Sequence, residues 1–238
     1  MTQLFRGRWL VLTLLVITGA LVMLRLGVWQ LDRLAERRAD NAQIQARLDL
    51  PAVDLNAPDV DLHDLVYRHV RLTGAFDPAH EIVLRNQARL GQPGQHIVTP
   101  LRLAGSDRAV LVDRGWIPYD QSPASYPPPA TATIEGVVRA SQPRAGWLSP
   151  VDATPAPGAP PLAQWYRIDV PAIQNQAPYP LMPLYVQAAP TGDGTNLPAP
   201  AIELDLSEGP HLGYAIQWFA FTLILLVGYV VLVRQKTR

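Results

Sequence analysis

Apolar residues gather in two uninterrupted blocks along this chain, one towards each end, and between the blocks the pattern changes to short runs broken by Gly, Pro and Asp. From Trp9 to Leu24 no residue is charged, and after Arg25 the apolar character resumes through Leu26, Gly27, Val28 and Trp29. A run of about 20 residues suffices for a helix to cross a bilayer core of about 30 Å, and a helix pairs all of its own backbone amides in lipid. The second block, Leu212 to Val233, is also uncharged. It carries Tyr214, Trp218 and Tyr229 towards its ends, where interfacial aromatics sit, and stops at Arg234, Lys236 and Arg238. Both blocks are read as transmembrane helices. Arg6 and Arg8 ahead of the first block would also suit a signal peptide, but the run exceeds a signal core and no small-x-small cleavage pattern follows it, so a retained anchor is expected.

Orientation follows from the basic flanks. Arg234, Lys236 and Arg238 follow the second block, whereas Glu203, Asp205 and Glu208 precede it. Cytoplasmic flanks are the ones rich in Lys and Arg, which places the C-terminus in the cytoplasm. Two spans then return the N-terminus, with Arg6 and Arg8, to the same side and send the central segment out. Arg33, Arg37 and Arg38 run against this order, although Asp32, Glu36 and Asp40 are interleaved with them.

Beyond Trp29, the residues Leu31, Leu34, Ala35, Ile44 and Leu48 keep helical spacing with charges between them, which predicts that the first helix projects past the membrane. From Val53 the signals are those of strands. Tyr67 to Gly74, Glu81 to Asn86, Gln95 to Leu103, Ala109 to Asp113 and Thr133 to Arg139 are short, β-rich and bounded by Gly, Pro or Asp, and a last strand falls around Leu184 to Gln187. Their spacing leaves no room for crossover helices, so an antiparallel sheet or barrel is expected. Pro118 to Ala132, Pro143 to Pro161 and Ala188 to Pro200 are Pro-rich and read as loops. Val170 to Gln176 reads as one or two helical turns with Pro171 at a permitted early position.

The expected boundaries are a cytoplasmic N-terminus over 1–8, a transmembrane helix over 9–29, a helical extension over 30–50, an extracytoplasmic β-rich domain over 51–208, a second transmembrane helix over 209–233 and a basic cytoplasmic tail over 234–238. The fold class is a membrane protein whose N- and C-terminal transmembrane α-helices flank an α+β domain built on an antiparallel sheet or barrel.

Composition narrows the function. The 20 Lys and Arg balance 20 Asp and Glu, so the basic excess of a nucleic-acid binder is missing. The absence of cysteine excludes disulfides, zinc ribbons and thiol catalysis, leaving His and carboxylates as metal ligands. Lys236 is the only lysine, and with abundant Ala and Pro this points to a GC-rich bacterial genome and thus to a bacterial inner or plasma membrane.

No nucleophile elbow, phosphate-cradling loop or His-x-x-x-His pair occurs, so no enzyme is expected. His63, His69, His80 and His96 are scattered and read as structural. His211 differs, because it stands at the mouth of the second block, close to Tyr214 and Trp218. That setting suits an axial ligand for a haem lying partly in lipid, although position alone favours a helix-capping or interfacial His. Arg85, and Arg114 in Asp113-Arg114-Gly115-Trp116, offer guanidinium forks for carboxylates such as haem propionates. Spacing alone favours a strand-ending turn in which Gly115 frees the backbone and Trp116 fills the core.

Five stretches, in order and placed against the two spans, resemble the Surfeit locus protein 1 family of cytochrome c oxidase assembly factors. They are Leu26-Gly27-Val28-Trp29-Gln30-Leu31-Asp32-Arg33-Leu34, Gly74-Ala75-Phe76-Asp77, Val98-Thr99-Pro100-Leu101, Val110 to Pro118 with its Asp113-Arg114-Gly115-Trp116 core, and His211-Leu212-Gly213-Tyr214-Ala215-Ile216-Gln217-Trp218-Phe219. The chain departs from the family pattern at Gly209-Pro210, where Asn-Asn is usual, and at Gln217, where Thr is common. The resemblance implies a factor that handles haem A and aids its insertion into oxidase subunit I. It also implies other oxidase assembly factors, a haem A biosynthetic enzyme and membrane lipid as neighbours. It makes His211 the counterpart of a histidine considered a haem iron ligand, in a site with Tyr214, Trp218, Trp29 and Arg33, to which Arg114 and Trp116 are further candidates. The rival expectation is a membrane chaperone that steadies nascent subunit I through helix contacts at Gly19, Ala20, Ala215 and Gly228, without haem.

Overall fold

The computed structural model describes residues 7–144, 146–147, 149–152, 160–190, 197–201 and 204–236. In chain order its elements are α1 (Arg8–Leu48), β1 (Val53–Asp54), β2 (His69–Phe76), β3 (Ile82–Arg89), β4 (Gln92–Leu103), β5 (Ala109–Pro118), β6 (Thr131–Ala140), β7 (Gln164–Trp165), α2 (Val170–Gln174), β8 (Leu181–Ala188) and α3 (His211–Lys236). The chain forms two compact units, residues 46–204 and residues 1–45 with 205–238.

The second of these units is helical. Its helices α1 and α3 are both long and apolar enough to cross a membrane, as expected of a membrane protein. They pair antiparallel: Thr13 hydrogen-bonds Tyr229 at 2.6 Å, and the Phe219 ring lies against Gly27. The buried positions are Val16, Ala20, Gly27 and Leu34 on α1 and Ala215 and Thr222 on α3. Their four- and seven-residue steps are those of a knobs-into-holes seam, and small residues let two backbones approach closely where lipid offers no hydrophobic drive. The 41 residues of α1 rise about 62 Å, roughly twice a bilayer core. Arg25 reaches along the helix to Asp32 at 3.8 Å, the direction a charged head takes when its stem lies in an apolar zone.

Residues 205–208, grouped with the β domain from sequence, belong instead to this helical unit. Arg37 donates to the carbonyl oxygens of Asp205 and Ser207, Asn41 donates to those of Leu206 and Ser207, and Arg38 forms a two-pronged pair with Glu208 at 2.7 and 2.8 Å. These partners lie some 170 residues from α1 in sequence, which is why spacing did not reveal them. Hydrogen bonding to Arg38 holds the Glu208 carboxyl below its usual range. On α3, helical geometry runs past Val233 to include Arg234 and Lys236.

The other unit is a barrel with a second core outside it. Strands β2, β6, β8, β5 and β4 pair in that order, and β4 returns to β2 through Gly74↔Leu103 and Phe76↔Leu101, closing the ring. Alternation along β2 points Val70, Leu72 and Phe76 inward, to meet Leu101, Leu103, Val110, Val112, Val138, Leu184 and Val186. On the outer face Ile82, Leu84, Val98, Leu111 and Tyr185 are covered by Trp165, Ile168, Val170 and Ile173, contributed by β7, α2 and the chain between them. The side chain of Asp169 caps α2 through the Ala172 amide, and Pro171 sits in its first turn.

The sheet departs from two expectations. It is not wholly antiparallel: β5 pairs parallel with β8 within the barrel, and β1 with β2 and β3 with β7 at its margins. The β5 and β8 pair needs no helix directly between the two strands, because β6, β7 and α2 all intervene in the chain. Nor does Asp113-Arg114-Gly115-Trp116 end a strand in a turn. Ile97 pairs with Gly115 and Val98 with Asp113, so Arg114 is the extra residue of a β-bulge, and β5 runs on to Pro118.

A hydrogen-bond knot closes the turn after β2. The Asp77 carboxylate accepts from the Tyr179 hydroxyl at 2.9 Å, His80 Nδ1 at 2.8 Å and the Ala79 amide at 3.1 Å. Burial alone would push the Asp77 pKa up, but these donors outweigh it and hold the carboxyl below its usual range. A depressed folded-state pKa adds stability that is complete above the ordinary aspartate range and is lost as pH falls through the lower folded value. Asp77→Asn is therefore expected to cost about 1–2 kcal/mol at neutral pH. In thermal melts followed against pH, its deficit against the parent should shrink in acid; a deficit constant through the acid range would exclude the charge as its source.

Candidate functional site

Gly209 opens the site at the head of α3. It adopts φ 68°, the left-handed region that glycine and asparagine enter most easily, and delivers Pro210 to the start of the helix. The Tyr214 amide donates to the Pro210 carbonyl at 3.1 Å, so helical hydrogen bonding begins there. His211 follows, with Nδ1 2.8 Å from Oε1 of Gln30 on α1. Its Nε2 takes part in no hydrogen bond among the described residues. A Cβ on Gly209 would stand 3.7 Å from that nitrogen, so the missing side chain leaves its flank open. One and two turns along α3 stand Tyr214 and Trp218, and Trp29 precedes Gln30 on α1. Trp29 and Tyr214 are 45% and 48% exposed, so both present aromatic surface outward. Arg33 is exposed and ion-paired with Glu36.

These features fit a haem. An imidazole nitrogen free of hydrogen bonds among the described residues, with its other nitrogen already hydrogen-bonded, is the usual arrangement of a metal-bound histidine, and the neighbouring aromatics are suited to a macrocycle. Among the described residues no cluster of three His, Asp or Glu could hold a bare metal ion.

Arg114 and Trp116 lie in the other unit, each with internal partners. The Arg114 guanidinium donates to Glu81 at 3.1 Å and to the Tyr126 carbonyl at 2.6 Å, and only 12% of the side chain is exposed. Burial lowers its pKa more than Glu81 restores it. Trp116 is buried, and its ring N–H donates to the Gln87 carbonyl. Asp113 accepts from His96 Nδ1 at 2.9 Å and from the Gly115 amide at 3.1 Å. Arg85 stacks over the Tyr166 ring at 4.2 Å. The bulge is thus tied into the barrel unit by its own partners, and its arginine faces a carboxylate of its own chain. His80 and His96 are hydrogen-bonded structural residues, and His63 and His69 are exposed.

Residues 17–223 match the SURF1 family. The chain belongs to that family. It is 29% identical over 229 residues to a SURF1-like protein of Rickettsia felis, covering 92% of this chain and 95% of the relative. It is 30% identical over 237 residues to an uncharacterized SURF1-like protein of Mycobacterium tuberculosis, covering 94% and 83% respectively. A SURF1-like protein of Monosiga brevicollis matches at 26% over 250 residues, covering 95% and 87%.

From sequence Gly209 stood only as a departure from the family pattern and Arg37 and Arg38 only as charges against the orientation, while Gln30 and Asn41 were not singled out. Gln30 lay within a matched stretch, and it faces the same seam as Gly27 and Leu34 by helical spacing. Its partner, 181 residues away, could come only from the structure.

Proposed function

We propose that this SURF1-family chain is an assembly factor for haem-copper oxidases that holds haem A at His211 and aids its insertion into oxidase subunit I. The observation that carries the haem part is the His211 imidazole, held at Nδ1 and open at Nε2 over Gly209. When bound, haem A would supply an iron that the His211 imidazole could ligate. The chain's part is to aim the imidazole, leave room beside it, and offer Trp29, Tyr214 and Trp218 to the ring. Both termini lie in the cytoplasm of a bacterial cell and the barrel outside it. The outer arginines that ran against this orientation have acidic partners: Arg33 with Glu36, Arg37 with Asp205 and Arg38 with Glu208.

The haem-free chaperone reading loses support from the helix seam. Ala20 and Ala215 are buried in the pairing of α1 with α3, and Gly19 faces Leu225 across it, leaving Gly228 of the four small residues with open space around it. The test is purification of the protein and of His211→Ala from cells making haem A, with absorption spectra of both. Haem in the parent and its loss in the variant support the reading; a haem-free parent sinks it.

A further inference from the structure

We propose that Gln30 is a positioning residue that sets the tautomer of His211: its side-chain carbonyl accepts from Nδ1–H and leaves the Nε2 lone pair facing the open flank of Gly209. The function of this contact rests on the haem-holding reading, whereas its geometry does not. The two side chains come from different helices, with Nδ1 and Oε1 2.8 Å apart and both residues half-buried. The contact is braced on both sides along the helix pair. The Phe219 ring packs against Gly27 one turn towards the N-terminus of α1, and Arg37, Arg38 and Asn41 hold Asp205 to Glu208 two to three turns the other way.

A histidine in water favours the proton on Nε2, which would hide the nitrogen that points outward here. A neutral imidazole donates from one nitrogen and accepts at the other, so an acceptor fixed against Nδ1 draws the proton there and frees Nε2. Partners of this kind set ring orientation and basicity in metal-binding histidines, and losing one typically weakens the metal 10- to 100-fold. No other described group contacts either nitrogen through a hydrogen bond, so Gln30 alone decides the matter. Were the amide turned the other way, its NH₂ would donate to Nδ1 and the proton would sit on Nε2, closing the site.

The experiment uses the full chain in lipid nanodiscs, labelled with ¹⁵N-histidine, as the parent, Gln30→Leu, Gln30→Glu and His211→Ala, the last assigning the His211 signals. The expected spectrum shows His211 protonated at Nδ1 in the parent and in Gln30→Glu, and shifted to Nε2–H in Gln30→Leu. Titration with haem A should show binding weakened by about 10- to 100-fold in Gln30→Leu. In Gln30→Glu binding is retained with a lowered reduction potential, because a carboxylate acceptor makes the imidazole a stronger donor to ferric iron. Gln30→Glu also keeps an acceptor against Nδ1, so it remains informative if the leucine variant disturbs the helix pair. A parent protonated at Nε2 overturns the proposal. So does loss of haem in His211→Ala together with parental affinity and potential in both Gln30 variants, an outcome that leaves the haem reading intact. A parent that binds no haem A but shows the Gln30-dependent tautomer defeats the haem reading and leaves the tautomer assignment standing.

Discussion

Gly27→Leu is expected to part α1 from α3 without unfolding the barrel. A Cβ at Gly27 would lie 2.5, 2.8 and 2.9 Å from three carbons of the Phe219 ring, inside any tolerable contact. The ring can swing aside for one methyl, so Gly27→Ala should be mild; a leucine fills the space the ring would need. Overpacking of this kind costs about 1–3 kcal/mol, a large share of what holds two helices together in lipid, where small-residue packing supplies most of the attraction. The chain has no cysteine, so Gly19→Cys with Leu225→Cys, whose positions face each other across the seam, makes a clean reporter. Copper-phenanthroline cross-linking of that pair should slow by roughly ten-fold or more in Gly27→Leu, and Phe219→Ala in the same chain should restore part of the rate. Unchanged cross-linking would mean that Phe219 does not fill the space over Gly27. Separation should also release His211 from Gln30, tying this packing defect to the site.

How much of this could be read from sequence depends on whether the signal is local. The two helices were legible because lipid compels backbone self-pairing and leaves long uncharged runs. Most strands were legible because β2 to β6 carry β-rich residues between turn residues. Two strands were missed, Val53–Asp54 and Gln164–Trp165, and at two residues each they have no pattern of their own. They exist only because β2 and β3 present edges to them. The same holds for β5 beyond Asp113. Gly and Trp after a charged pair look like a turn, and only the partner strand, with Ile97 and Val98 opposite Gly115 and Asp113, makes the extra residue a bulge.

The candidate site divides in the same way. His211, with Tyr214 and Trp218 near it, stood out through its place at the end of an apolar run, and the family resemblance added Trp29 and Arg33. Arg114 and Trp116 came with a matching motif, yet a motif that maintains a fold and one that binds a ligand look alike until the partners are known. Glu81, Tyr126 and Gln87 are those partners here. Gln30 was the converse case: a neutral amide on a charged helical stretch, meaningful only once α3 is laid beside it.

The bulge provides the second large effect, for Gly115→Ala should destabilise the barrel by about 3 kcal/mol. Gly115 has φ 126°, outside the reach of ordinary L-residues, and a Cβ there would stand 2.1 Å from the carbonyl oxygen of Ala199. That oxygen accepts from the Trp116 amide at 2.9 Å, and the Ala199 amide donates back to the Trp116 carbonyl at 2.8 Å. The obstruction is backbone and has no rotamer to escape into, so the methyl must break both bonds by pushing residues 197–201 off β5. For a unit of this size the loss lowers the thermal midpoint by roughly 10 °C, read from near-ultraviolet circular dichroism, to which the buried Trp116 contributes. Gly91→Ala is the comparison. Gly91 also has a positive φ, 78°, but nothing lies within 4 Å of its would-be Cβ, so it carries only the cost of the left-handed region, about 1–2 kcal/mol. A clear excess at position 115 reports the collision with Ala199 together with the less accessible φ of 126°; equal shifts at the two positions would refute the close approach of residues 197–201 to β5.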